Sequence, residues 1–71
     1  MNKQRRKQIQ DAISKIEALV QDILDDEIDA FENMPESLQA SENGIASEDA
    51  QDILGEVVDL LEEAISCLEE I

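Results

Sequence analysis

The 71-residue chain carries 19 acidic side chains, 5 basic ones and no histidine, for a net charge of −14, with a single cysteine, aromatic and proline. It lacks the parts of a structural zinc site, a Cys-His nucleophile, a serine triad or the usual haem ligand sets, and Cys67 alone cannot close an intrachain disulfide. Leu, Ile, Val and Phe nonetheless make up 20 residues, above the roughly one-fifth share below which a highly charged chain stays disordered, so one small folded domain is expected.

The first element begins in a basic opening, Lys3-Gln4-Arg5-Arg6-Lys7, and continues through Ile9, Ala12, Ile13, Ile16, Leu19, Val20, Ile23, Leu24, Ile28 and Phe31. Steps of three and four without glycine or proline predict one helix over about residues 3–32. Such a helix is about 45 Å long, whereas a compact chain of this size has a radius of gyration of about 11 Å, so an elongated fold is expected. The basic opening is followed by Asp11, Lys15 and Glu17, not by an apolar run, which argues against a signal peptide or membrane span. A cytoplasmic location and no membrane partner are expected.

Residues 33–47 gather the proline, one glycine and several serines and asparagines, and form the expected connection. Pro35 disfavours helix at Met34 and suits the start of a short helical turn over Pro35–Gln39, while Asn43-Gly44 marks a second reversal. Ser47 is the expected N-cap of a second helix over about residues 48–70. That helix carries two adjacent apolar stripes: Ile53, Val57, Leu60, Ala64 and Cys67, and beside them Leu54, Val58, Leu61, Ile65 and Leu68.

Folding the helices antiparallel sets Phe31 opposite Ala50, Ile28 opposite Ile53, Leu24 opposite Val57, Val20 opposite Leu61, Ile16 opposite Ile65 and Ile13 opposite Leu68. The expected fold is thus an all-α, two-helix hairpin. One partner helix does not cover both stripes, so Leu54, Val58, Leu61, Ile65 and Leu68 are expected to bind a second copy, giving a homodimeric four-helix bundle.

All five basic residues lie within residues 3–15, whereas residues 16–71 hold eighteen carboxylates and no basic residue. The basic segment neutralises the acidic end of the second helix, near Glu69 and Glu70, forms an arm for nucleic acid or a partner, or has no specific role. Asp52, Glu56, Asp59 and Glu63 recur at helical spacing, and Asp22, Asp25 and Asp29 add a row on the first helix. This array is either a solvated face that keeps the bundle soluble or a docking face for a basic protein, since carboxylates about 5–6 Å apart approach the spacing of nucleic-acid phosphates. Direct nucleic-acid binding is disfavoured by the same charge.

Other carboxylate chemistries fit poorly. Asp25-Asp26-Glu27-Ile28-Asp29 superficially suggests a calcium loop, but Ala30 stands where the sharp turn requires glycine. A di-iron bundle needs a Glu-x-x-His motif, and paired acids for glycoside hydrolysis need a substrate cleft. No cofactor, no metal and no enzymatic activity are expected. Gly55 allows a close helix approach or is merely tolerated, Cys67 is expected as a small buried hydrophobe, and Phe31 is expected to plug the loop end with Met34 and Leu38.

The stretch Ala30-Phe31-Glu32-Asn33-Met34-Pro35-Glu36-Ser37-Leu38-Gln39, continuing through Ser41-Glu42 to Gly44, resembles small acidic helical-hairpin proteins of Gram-positive bacteria and their phages. That resemblance implies a phage or mobile-element setting and, by analogy of class, an inhibitor of host defence or nucleic-acid enzymes. The resulting expectation is a non-enzymatic factor that binds a basic protein through its acidic surface. The alternative is a structural or assembly dimer whose charge serves only solubility.

Overall fold

The computed structural model describes residues 1–71. Three helices follow in chain order: α1 over Lys3–Glu32, α2 over Glu36–Gln39 and α3 over Glu42–Leu68. The two long helices pack against each other as an antiparallel hairpin, with α2 folded onto α3 at the turn. The molecule measures 54 × 15 × 11 Å with a radius of gyration of 16.3 Å, the elongated shape that the length of the first helix requires. No helix is long and apolar enough to cross a membrane.

α1 starts on Asn2, whose side-chain oxygen accepts from the Arg5 backbone N–H at 2.8 Å, and ends at Asn33, ahead of the Met34-Pro35 step. The Gln39 amide then donates to the carbonyls of Phe31 at 3.0 Å and Met34 at 3.1 Å. The last residue of α2 thus supplies a donor to the Met34 carbonyl just past α1 and a further one to the Phe31 carbonyl, which also accepts from the Met34 backbone N–H at 3.0 Å. Phe31 and Met34 are half-buried at this turn, whereas Leu38 is exposed.

The second long helix starts earlier than its sequence suggests. Residues 42–47, expected in the connection, form the opening of α3, with Ser41 as N-cap. Gly44 is not a reversal: its φ is negative, it is buried, and a Cβ built on it would lie 2.0 Å from the Gln39 carbonyl oxygen. The absence of a side chain lets the first turn of α3 press onto the backbone of α2. Ser47 is likewise not a cap but sits inside the helix at 5% exposure, where its Oγ donates to Glu27 Oε1 at 2.7 Å.

Cross-helix contacts also move the register. Glu27 faces Ser47, and Arg6 donates through Nη1 to the Ile71 carbonyl, which displaces α3 by about one to two turns from the apolar-to-apolar pairing. The positions turned toward α3 are Arg6, Gln10, Ile13, Glu17, Val20, Leu24, Glu27 and Phe31, alternating steps of four and three. Their counterparts are Gly44, Ser47, Gln51, Leu54, Val58, Leu61, Ile65 and Leu68.

The stripe expected to bind a second copy, Leu54, Val58, Leu61, Ile65 and Leu68, is therefore the one that faces α1 within the single chain. Val58 is the only buried apolar side chain. The large apolar residues left outside on the long helices are Ile9, Ile16, Leu19 and Ile23 on α1 and Ile45, Ile53 and Leu60 on α3, all at least 40% exposed. Cys67, expected to be buried, is exposed beside them.

Candidate functional site

Two flanks of the helix–helix seam differ in chemistry. On one flank an open cleft is lined by Gln21 and Leu24 of α1 and by Gln51, Asp52, Gly55, Glu56 and Asp59 of α3, with Val58 beneath. Three of the four carboxylates singled out on α3, Asp52, Glu56 and Asp59, thus border one depression, and Glu63 continues the row one turn further, exposed. The α1 row reaches the same cleft through Gln21, whose Nε2 donates to Asp25 Oδ1 at 3.1 Å. Asp22 and Asp29 stand exposed at helical steps of three and four from Asp25.

Gly55 opens this cleft. A Cβ added there would meet nothing within 4 Å, so within one chain the residue serves no close helix approach. Its bare backbone leaves the cleft floor open between Gln21 and the carboxylates.

None of these acids is neutralised. The one ion pair in the chain joins Lys7 Nζ to Asp11 Oδ2 at 3.1 Å along the exposed surface of α1. Arg6 reaches the carbonyl at the end of α3, so one basic residue does sit at that end. α1 has no acidic residue in its first turn and no basic residue in its last, which places its charges against its own dipole. Each such mismatch costs about 0.3–1 kcal/mol, so the charge pattern was not arranged for helix stability.

Apolar periodicity does not reveal a polar layer inside the seam or a pair of carboxylates at its edge, where Glu62 is exposed. Glu27, Ser47 and Gln51 form a chain in which Ser47 Oγ donates to Glu27 and accepts from Gln51 Nε2 at 3.4 Å. Further along, Glu17 meets Glu62 across the helices with no cation nearby. Partial desolvation, a hydrogen bond shared with Glu62 and repulsion from it together hold the Glu17 carboxyl above its ordinary value.

A raised carboxyl value means that the folded hairpin binds this proton more tightly than the unfolded chain does. The corresponding stabilisation is full below the ordinary glutamate range near 4.3 and is lost as pH rises through the higher folded value. The urea midpoint of unfolding is expected to rise as pH falls from neutrality toward that range. Glu17→Gln raises the midpoint at neutral pH and weakens this dependence; an unchanged pH profile in the variant refutes the coupling.

Comparison with protein-family models, curated proteins and solved structures returned no match for this chain.

Proposed function

We propose that the chain is a non-enzymatic protein-binding factor that engages a basic, nucleic-acid-binding protein through the acidic cleft, acting as an inhibitor in a phage or mobile-element setting. The observation that carries this reading is the convergence of Asp52, Glu56 and Asp59 on one cleft, bordered by Gln21, which donates to Asp25, with no cation paired to any of these carboxylates. Unpaired carboxylates at helical spacing repel one another by a few tenths of a kcal/mol per pair, a standing cost that a basic partner relieves. Such a face also steers a basic target into encounter and makes binding salt-dependent. The resemblance of the Ala30–Gly44 stretch supports the setting.

A second reading, a structural or assembly dimer, is favoured by a different observation: the exposed row of Ile9, Ile16, Ile23, Ile53 and Leu60. Changing Asp52 and Asp59 to Asn together with Glu56 and Glu63 to Gln separates the two. On the first reading, affinity purification from the native host recovers a basic protein with the parent chain, and the quadruple variant loses it by tenfold or more, on the order of what several exposed charge pairs contribute. Undiminished, salt-insensitive recovery by the variant refutes the acidic-face reading and leaves the second.

A further inference from the structure

The flank of the seam opposite the acidic cleft is apolar along most of its length. Ile9, Ile16 and Ile23 repeat every seven residues on α1, and Ile53, Leu60 and Cys67 repeat every seven on α3. Arg6 beside Ile71 and Glu27 beside Ser47 set the level of one helix against the other, and interpolation between them brings Ile16 level with Leu60. Each row is therefore symmetric about the same height. Reversing α1 about Ile16 exchanges Ile9 with Ile23 and sets Ala12 near Leu19 and Arg5 near Asp26; reversing α3 about Leu60 exchanges Ile53 with Cys67 and sets Val57 near Ala64. A surface that matches its own reversal is what a two-fold interface between identical chains requires.

We propose that a second copy of this chain docks on this face, with the two-fold axis crossing at Ile16 and Leu60 and the two loop ends pointing in opposite directions. The exposed area fits this occupant. A folded monomer of 7.9 kDa is expected to expose about 4,400 Å², whereas the single hairpin exposes 5323 Å². The excess, about 900 Å², is close to the roughly 800 Å² that each partner loses in a stable interface of standard size.

Charge selects the orientation. Residues 16–58, which wrap the loop end, hold thirteen carboxylates and no basic residue. With the loop ends together, these clusters would face each other; with the loop ends apart, each lies over the basic opening of the other copy, and Arg5 of one copy comes within one residue of the level of Asp26 of the second. The acidic clefts then face outward on both sides. This arrangement is independent of the acidic-face reading, because neutralising Asp52, Glu56, Asp59 and Glu63 leaves the apolar face untouched.

Cysteine cross-linking and charge exchange test the arrangement. In a Cys67→Ser background, Ile16→Cys and Leu60→Cys are each expected to form a disulfide-linked dimer on mild oxidation, because each position meets itself across the axis. Arg5→Glu or Asp26→Arg alone is expected to weaken dimerisation by about two- to fivefold, as exposed charge pairs do, and the double variant to restore it. Ile16→Glu, at a site 51% exposed in the single hairpin, keeps the helical content and raises the dissociation constant at least tenfold. Absence of a disulfide from both cysteine variants overturns the proposal. So does a disulfide that forms only when the Ile16→Cys and Leu60→Cys chains are mixed, which marks loop ends together.

Discussion

Gly44→Ala lowers hairpin stability by about 3 kcal/mol, near the upper end of the range for forcing extra atoms into a packed site. The added methyl would lie 2.0 Å from the Gln39 carbonyl oxygen and 2.4 Å from its carbon, both backbone atoms that no side-chain rotation can remove. The cheapest escape is to unwind the first turn of α3, which also pulls Gln39 from the Phe31 and Met34 carbonyls that it caps. Gly55→Ala is the matched control. Its methyl meets nothing within 4 Å, so the higher helix propensity of alanine is gained without a clash, and stability rises by about 0.8–1 kcal/mol. Urea unfolding of both variants checks the pair, and equal shifts refute the placement of Gly44 against α2.

Ser47→Ala is the second large effect. The hydroxyl sits at 5% exposure and donates to the Glu27 carboxylate at 2.7 Å, so its removal leaves a half-buried carboxylate without its donor. Hydrogen bonds to charged groups contribute about 1.5–3 kcal/mol, and a loss of about 2 kcal/mol is expected. Joining Ser47→Ala to Glu27→Leu removes both partners at once and recovers most of that loss, because no polar group is then stranded. If the double variant is as unstable as the additive sum, Ser47 and Glu27 do not interact and the register between α1 and α3 is different.

Both substitutions fall where periodicity is least informative. The two long helices, their antiparallel packing, the short turn after Pro35 and the break at Asn33 follow from the three- and four-residue spacing of apolar residues and from the proline. The helix start at Glu42 does not, because Ser47 before Glu48 and Asp49 forms a good cap signal, whereas the chain is already helical from Glu42 with Gly44 packed against Gln39.

The seam itself departs from the apolar pairing for a related reason. Matching apolar residue to apolar residue draws Ile16 toward Ile65 and Ile28 toward Ile53, whereas the packed track includes Gln10, Glu17 and Glu27 on α1 and Ser47 and Gln51 on α3. An apolar pattern broad enough to cover two faces does not say which one meets the partner helix and which stays open. The polar layer at Glu27 and Ser47 fixes the register, as a polar residue in a helical seam can do, and Ile9, Ile16, Ile23 and Ile53 are left facing outward. For the acidic rows the sequence is more informative: helical spacing alone places Asp52, Glu56 and Asp59 together, and the cleft beside Gly55 unites them with Gln21.

The hairpin thus divides into an acidic flank of unpaired carboxylates and an apolar flank of exposed side chains, and the central proposal is that a second copy docks on the apolar flank. Sedimentation equilibrium of the unaltered chain at falling concentrations measures it most directly. The expected result is a particle of twice 7.9 kDa that dissociates only on dilution, and that persists when Asp52, Glu56, Asp59 and Glu63 are neutralised. A helical particle that remains at 7.9 kDa at every concentration would contradict it.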